Sequence, residues 1–335
     1  MAILSRDIGI DLGTANTLIY VKGKGIVLRE PSVVAVSRYT KEVYAVGYDA
    51  KEMVGKTPDN IVAIKPLKDG VISDYKMTYE MVRRFLQKVL KSGAFTKPRV
   101  IACVPSGVTE VEKKAVEEAV IQSGAKEVYV VEESMAAAVG ANMAIVEPLG
   151  NMVLDIGGGT SEVAVISLGG IVNSKTLRMA GDTMNEAVVN YVRREYNVLI
   201  GEPTAERIKI EIGSASPLTL EESCEVCGRD LSTGLPKYIT ITSLDVREAI
   251  SECISAIVDA IKLTLEDTPP ELSADIIDRG IVLTGGGALI RGLDELIKKE
   301  TGMEVIIADS PLESVVAGAG LVINEIESLS DALAK

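Results

Sequence analysis

Short apolar runs alternate with amphipathic stretches along most of this chain. Apolar runs of strand length occupy residues 100–104, 128–131, 152–156 and 281–284. Apolar positions three and four residues apart predict helices at 78–91, 109–123, 134–145, 184–195, 204–212 and 244–267. Strands that alternate with helices in this way predict an α/β sandwich.

Two stretches interrupt the alternation. Residues 31–65 mix short strands with polar connections that carry glycine and proline, and 221–241 is rich in strand-forming residues. Each is interpreted as a small insertion, one in each half of the chain. The expected division is a first half at 1–145 with an insertion at about 31–65, a second half at 146–310 with an insertion at about 180–244, and a C-terminal helix at about 311–335 that packs back on the first half.

A glycine-rich turn follows the apolar strand Met152-Val-Leu-Asp-Ile, in the order Gly157-Gly-Gly-Thr160. Glycines leave no Cβ between backbone N–H groups and an anion, so such a turn suits phosphate, and the Thr160 hydroxyl adds a donor. Asp155 at the strand end suits a hydrated Mg²⁺, which keeps several waters beside one or two carboxylates. A plain glycine hairpin explains a single copy equally well.

A second copy of this design lies near the N-terminus. Ile8-Gly-Ile-Asp-Leu-Gly-Thr places Asp11 at the end of an apolar strand, before the turn at Gly13 and Thr14. The two copies lie one domain's length apart, which indicates two related half-molecules that each offer a phosphate hairpin and an acid. A third turn, Thr284-Gly-Gly-Gly-Ala288, follows another strand and is expected to open a helix. Three such turns indicate one nucleotide in a cleft.

Length and composition restrict the chemistry. The chain has 335 residues, which is comfortable for two domains, and its net charge of −13 argues against nucleic acid as a partner. It contains no histidine, which excludes Ser-His-Asp catalysis and the usual zinc sites. Any catalysis must therefore depend on carboxylates, hydroxyls, lysine and metal-bound water.

Membrane insertion is not expected from the hydrophobic pattern. The N-terminus lacks the apolar run of a signal peptide, and the longest uncharged run, residues 134–146, is shorter than the roughly 18 residues of a membrane span. We expect a cytoplasmic protein.

The two hairpins, the third glycine turn and the duplicated layout resemble the superfamily of actin, sugar kinases and heat-shock chaperone ATPases. Four longer runs, at 104–112, 193–215, 228–236 and 269–293, resemble more specifically the MreB/Mbl family of bacterial actin homologues. The similarity covers essentially the whole chain. It implies duplicated actin-like (ribonuclease H-like) α/β domains with mixed sheets flanked by helices, a nucleotide cleft between the halves, and one inserted subdomain in each half.

The resemblance also implies a ligand set. ATP, or ADP after hydrolysis, would bind with Mg²⁺ near Asp11 and Asp155. The residues that the resemblance assigns to the nucleotide are Gly13, Thr14, Ala15 and Asn16 in the first hairpin, Gly157, Gly158, Gly159 and Thr160 in the second, Glu206 and Lys209 beside the adenosine, and Gly286, Gly287 and Ala288 on its other side. Glu206 and Lys209 lie one helical turn apart, so a solvated helix pair remains the alternative for them.

For hydrolysis, a carboxylate must orient a water in line with the γ-phosphate of a histidine-free site. The resemblance assigns this step to Glu133 and Thr160, with Glu132 as the alternative to Glu133. A carboxylate at a helix N-terminus also suits the helix dipole alone. The sequence departs from the family at Ser134, where proline is usual, and at Asn185, where an acid is common.

The implied function is a slow Mg²⁺-dependent ATPase that forms cytoskeletal filaments on the inner face of the cytoplasmic membrane. Such filaments would organise cell-wall synthesis together with membrane proteins of the cell-elongation machinery, and maintain rod shape. A sugar or acetate-type kinase of the same superfamily is the alternative. A chaperone ATPase is disfavoured, because no β-rich peptide-binding segment follows the second half in this sequence.

One segment predicts membrane contact. Residues 83–99 contain six basic residues and no acidic one, and they include both phenylalanines of the chain, Phe85 and Phe95. Basic residues attract an anionic leaflet and an apolar ring can enter it. We expect Phe95, in a short loop, to contact the membrane. The alternative is that Phe95 folds back over the core and the charges merely solvate a helix.

Overall fold

The computed structural model of the chain describes residues 7–90 and 97–324. The strands are β1 (Ile8–Leu12), β2 (Asn16–Val21), β3 (Gly25–Pro31), β4 (Val34–Ser37), β5 (Val43–Val46), β6 (Ile61–Ile64), β7 (Leu67–Lys68), β8 (Val71–Ile72), β9 (Arg99–Val104), β10 (Glu127–Glu132), β11 (Asn151–Ile156), β12 (Ser161–Ser167), β13 (Gly170–Leu177), β14 (Val198–Leu199), β15 (Ser223–Asp230), β16 (Pro236–Thr242), β17 (Ile281–Thr284) and β18 (Val305–Ile307). The helices are α1 (Tyr48–Lys51), α2 (Tyr75–Val89), α3 (Glu110–Gln122), α4 (Glu133–Gly140), α5 (Gly181–Tyr196), α6 (Glu202–Ile212), α7 (Ser243–Glu266), α8 (Pro270–Arg279), α9 (Leu293–Thr301) and α10 (Ser314–Asn324).

Two five-stranded sheets follow the same plan. The first has the order β10-β9-β1-β2-β3 and the second the order β13-β12-β11-β17-β18. In each sheet three consecutive strands form an antiparallel meander, and the first strand of that meander pairs in parallel with a later strand. The sheets are therefore mixed and duplicated, as the sequence predicted. β1 and β11, which carry the two aspartates, occupy equivalent central positions.

Each sheet has its own apolar core, and a third core lies between the halves. Strand faces and helix stripes supply the two outer cores, because alternate strand residues point to opposite sides. The central core joins Val153 and Ala164 of the second sheet to Ala136 of α4 and Ala319 of α10. The helices α4 and α10 pack closely, since a Cβ at Gly318 would collide with the Ala136 carbonyl. The small residues of α4 and α10 thus allow close packing.

The two interruptions in the sequence pattern form small sheets. Strands β4, β5 and β6 make a three-stranded antiparallel sheet within 31–65, and β14, β15 and β16 make another within 180–244. The boundaries of the halves and insertions remain predictions. None of the helices in the described part of the chain is long and apolar enough to cross a bilayer.

Two helix predictions need correction. Residues 134–145 were expected to be one helix, but α4 ends at Gly140, and Asn142 just beyond it has a φ of 56° that helical backbone does not allow. The third glycine turn opens only a short 3-10 helix, Gly286–Leu289, and α9 starts later. The helix α8, which was not predicted, begins at Pro270, because proline fits the first turn of a helix.

Candidate functional site

A cavity of about 380 Å³ lies between the two halves, where the three glycine turns meet. The residues that the sequence assigned to a ligand and that line this cavity are Asp11, Gly13, Thr14, Ala15, Asn16, Glu133, Asp155, Gly157, Gly158, Gly159, Thr160, Glu206, Lys209, Gly286 and Gly287. Of the set predicted in the described part of the chain, Ala288 does not line the cavity. It is fully buried in the core of the second half, and its contact with a ligand remains a prediction.

The first two hairpins contact each other across the cleft. A Cβ at Gly158 would lie 2.6 Å from the Ala15 Cβ, and one at Gly159 would collide with the Thr14 hydroxyl. Glycine at these positions therefore lets two backbone turns from opposite halves approach the same point. This convergence is what one oligophosphate chain, bound from both sides, requires.

Asp11 and Asp155 each lie one residue before the end of the equivalent strands β1 and β11; Asp155 is buried and Asp11 is partly buried. Burial raises the pKa of Asp155 to about 6, although the Thr284 hydroxyl donates to its Oδ1 at 2.7 Å and opposes this shift. The pKa of Asp11 is also raised, first by desolvation and then by the neighbouring charge of Asp155. Two neighbouring carboxylates that repel each other at the base of the cleft would be stabilised by a bound cation.

The donor set fits Mg²⁺. Within residues 7–90 and 97–324, no group of three or more acidic, cysteine or histidine side chains is arranged to hold a metal ion. Mg²⁺ does not need such a cage, since it binds through one or two carboxylates with waters and substrate phosphates as its other ligands. Asp11 and Asp155 supply the two carboxylates.

Glu133 begins α4 and faces the cavity, with 7% of its surface exposed. Its pKa is raised well above the ordinary value, by burial first and then by the charges of Glu162, Asp11 and Asp155. The N-cap of α4 is Glu132, whose side chain makes no capping hydrogen bond. Glu132 is not among the residues that line the cavity and instead accepts a hydrogen bond from Ser106. Of the two candidates, only Glu133 lines the cavity.

Lys209 and Glu206 of α6 both face the cavity but do not pair with each other in the described contacts. The Lys209 Nζ donates to the Gly181 carbonyl at 2.8 Å, and burial lowers the pKa of Lys209 to about 8. Glu206 pairs with Lys51 of the first half at 2.9 Å. The alternative of a solvated helix pair does not describe these two residues.

Sequence reasoning missed part of the cavity wall. Asp182 and Asn185 of α5 line it, and the Asn185 Oδ1 is buried with no hydrogen-bond partner among the described residues. Such an atom is suited to a polar ligand group. Leu289, Ile290 and Leu312 add an apolar wall that suits a flat base. The only sequence signal for α5 was its helical spacing, which gives no indication of which face meets the cleft.

The basic segment is less free than its sequence indicated. Arg83 pairs with Glu80, Lys88 with Glu30, and Arg84 donates to the Val43 carbonyl. Phe85 is fully buried. The predicted membrane residue Phe95 lies outside the described residues.

The comparisons with known proteins agree with this geometry. A family model described as MreB/Mbl protein matches residues 5–331. The chain belongs to the MreB/Mbl family. It is 52% identical to the cell shape-determining protein Mbl of Bacillus subtilis (strain 168), over 98% of both chains. It is 53% identical to the cell shape-determining protein MreB of Escherichia coli (strain K12), over 97% of this chain and 95% of that one.

Solved structures confirm the predicted actin-like fold. MreB5 of Spiroplasma citri bound to AMPPNP superposes with a TM-score of 0.93 at 38% identity, covering 98% of this chain and 99% of that one. MamK, at 23% identity and a TM-score of 0.81, has the same fold. The names of the MreB/Mbl relatives support the cell-shape interpretation and not the kinase alternative. Nearly equal identities to Mbl and MreB do not separate those two branches.

Proposed function

We propose that this chain is a cytoskeletal ATPase of the MreB type, which assembles into filaments that determine cell shape. One observation carries the nucleotide part of this proposal. Two equivalent hairpins from opposite halves, each with an aspartate at its base, converge on one cavity lined by a third glycine turn. A relative with 38% identity binds AMPPNP in one solved structure and ADP in another.

In the proposed complex the phosphates lie between the Thr14 and Gly158 turns, with Mg²⁺ beside Asp11 and Asp155. The metal would screen the phosphate charges and support in-line attack. Glu133 orients the attacking water, since it lines the cavity from the first half as a buried carboxylate and Asp11 is assigned to the metal. Thr160 lines the cavity from the second half as a hydroxyl donor. Lys209, Glu206 and the Gly286-Gly287 backbone enclose the nucleoside.

Filament assembly and membrane contact rest on family membership and on the sequence of residues 83–99. We propose that the protomers bind one another and lie at the inner face of the cytoplasmic membrane, where membrane proteins of the elongation machinery bind them. Phe95 would enter the lipid, and Lys97, which is exposed, would contribute to the attraction. Many subunits in one filament multiply such a weak contact.

Sedimentation and phosphate release together test the function. Purified protein is incubated with ATP and Mg²⁺, with ADP, and with no nucleotide, then pelleted while released phosphate is measured. The proposal expects pelleted filaments and slow phosphate release with ATP and Mg²⁺, and neither after chelation of the metal. Protein that stays in the supernatant across salts and anionic lipids, at high concentration, would contradict filament formation. Release that requires an added sugar or acetate would favour the kinase.

A further inference from the structure

Ser106, in the turn that follows β9, contacts both halves of the molecule at once. The Ser106 N–H donates to the Glu162 Oε1 at 2.9 Å, and its carbonyl accepts from the Thr176 hydroxyl at 2.8 Å. Both partners belong to the second sheet, on β12 and β13. On the other side, the Ser106 hydroxyl donates to the Glu132 Oε2 at 3.0 Å and lies 2.9 Å from the Ser134 hydroxyl, at the start of α4.

These contacts leave Ser106 with no spare polar group. Its hydroxyl proton goes to Glu132, so the Ser134 hydroxyl donates to the Ser106 oxygen. The residue is buried, with 3% of its surface exposed. A shift of either half relative to the other must therefore break hydrogen bonds at Ser106 without water to replace them.

The partners of Ser106 flank the two residues proposed to act on the water. Glu132 and Ser134 lie on either side of Glu133, and Glu162 lies two residues after Thr160. The Glu133 side and the Thr160 side of the cleft also approach each other at Gly70. A Cβ at Gly70 would collide with the Pro105 ring and lie 3.0 Å from the Thr160 methyl carbon. The turn therefore lies directly between the Glu133 side and the Thr160 side of the cleft.

Burial of the Glu162 carboxyl is energetically unfavourable if the residue only makes a structural contact. It is fully buried, and its Oε2 has no hydrogen-bond partner among the described residues. A buried carboxyl oxygen without a partner weakens the fold, and such groups are found where function needs them. Burial raises the pKa of Glu162, and the charge of Asp155 raises it further.

We propose that Ser106 is a positioning residue for the hydrolysis proposed above, because it keeps Glu133 of the first half in register with Thr160 of the second through Glu162 and Thr176. The inference rests on the proposed function for its catalytic consequence, but the link itself is a property of the fold. The Ser106 link makes the orientation of the water depend on how the two halves are placed relative to each other. The nucleotide contacts depend on the hairpins instead.

The decisive variant is Thr176→Val, which removes a hydroxyl from β13 and keeps the side-chain shape. Thr176 does not line the cavity, so a loss of nucleotide contacts is not expected. Thr176→Ser restores the hydroxyl. Ser174→Ala, two residues earlier on the same face of β13, is the matched control. Ser106→Ala removes the contacts to Glu132 and Ser134 and keeps the backbone contacts.

Three quantities are measured for each variant: the rate of single-turnover phosphate release, the nucleotide affinity, and hydrogen exchange at residues 104–108 and 132–135. We expect Thr176→Val and Ser106→Ala to slow turnover about tenfold with affinity changed by less than about twofold, as for an interaction made in the transition state. Exchange at 104–108 should become faster in Thr176→Val without nucleotide. Thr176→Ser and Ser174→Ala should match the wild type in release rate, affinity and exchange.

Unchanged exchange at 104–108 in Thr176→Val would overturn the link, whatever the activity. Wild-type turnover in Thr176→Val, or equal losses of turnover and affinity, would overturn its role in positioning. A wild-type protein that releases no phosphate would refute the proposed hydrolysis instead, and the exchange data would still decide whether Ser106 joins the halves.

Discussion

Lys65 and Asp182 lie on opposite sides of the cleft, and 3.0 Å separates the Lys65 Nζ from the Asp182 Oδ1. The same ammonium lies 2.5 Å from Glu202, and Lys51 pairs with Glu206 beside it. Burial alone would lower the pKa of Lys65, but Asp182 and Glu202 raise it above its ordinary value. These three contacts, the cross-cleft ion pairs, join the inserted segment of the first half to α5 and α6 of the second.

The cross-cleft ion pairs should slow nucleotide exchange. Lys65→Ala removes two of them, and partly exposed pairs contribute about 0.2–1 kcal/mol each, so we expect release of a fluorescent nucleotide to become about two- to thirtyfold faster. Lys68→Ala, an exposed lysine three residues later, is the control and should release at the wild-type rate. Higher salt should narrow the difference. Equal release rates for the two variants at low salt would show that these pairs do not restrain the cleft.

Asp155→Asn should separate activity from stability. The folded pKa of Asp155 is about 6, against an ordinary value of 3.8. At a pH between these two values the Asp155 carboxyl is therefore protonated in the folded state and ionised in the unfolded state. Its contribution to the free energy of unfolding therefore falls as the pH rises from about 4 to about 6, and the full penalty remains at pH 7.

Without ligand, Asp155→Asn should melt several degrees above the wild type at pH 7.5 and close to it at pH 4, while Mg²⁺-dependent phosphate release is lost. The Asn oxygen can still accept from Thr284, so the fold is preserved. Thermal melting across pH measures the first effect. A variant that is less stable than the wild type at pH 7.5 would contradict the assigned burial penalty, and wild-type turnover would remove Asp155 from the metal site.

Glu133→Gln should slow hydrolysis at least tenfold with little change in ATP affinity, because water orientation matters mainly in the transition state. Single-turnover phosphate release and equilibrium binding distinguish the two effects. Glu132→Gln is the comparison variant: Glu132 does not line the cavity, and glutamine keeps an oxygen that can still accept from Ser106, so the effect should be smaller. If the order of the two variants is reversed, Glu132 is the residue that orients the water.

Phe95→Ala should weaken binding to anionic vesicles. The loss of one inserted ring costs roughly 1.5–3 kcal/mol, about a tenfold or larger fall in vesicle affinity. Co-sedimentation with anionic and neutral vesicles, at low and high salt, measures it. The salt effect should be modest, because Arg83 and Lys88 already pair with Glu80 and Glu30. Equal binding by the variant and the wild type would remove Phe95 from the mechanism.

The sequence predicted the fold well where a local pattern decided the outcome. Asp11 and Asp155 each lie near the end of an apolar strand that is followed by glycine. This shared pattern predicted both hairpins, and they lie in equivalent sheets. The helix at 109–123 was predicted with nearly correct ends from its apolar spacing, and Thr109 and Glu112 form a capping box at its start.

Tertiary contacts decided what the sequence pattern could not reveal. Ala288 continues the glycine turn in sequence, yet its side chain packs in the core of the second half and the residue does not line the cavity. Asn185 and Asp182 line the cavity because the packing of α5 on α6 and α7 decides which helix face meets the cleft. The spacing of apolar residues within α5 does not reveal that choice. The partners of Arg83 and Lys88 come from distant or preceding residues, so a count of charges within 83–99 overstated the free positive charge.

The central claim is that one nucleotide is held between the two hairpins, and a pair of glycine variants tests it most directly. A Cβ at Gly158 would press on Ala15 of the other hairpin at 2.6 Å, whereas one at Gly170, which does not line the cavity, would meet only the Ser167 carbonyl at 3.8 Å. Calorimetric titration with ATP and Mg²⁺ is made on the wild type, Gly158→Ala and Gly170→Ala, after thermal melting confirms that all three are folded. The account predicts one site per chain, at least about tenfold weaker in Gly158→Ala and within about twofold of the wild type in Gly170→Ala. Wild-type affinity in a folded Gly158→Ala protein would contradict it.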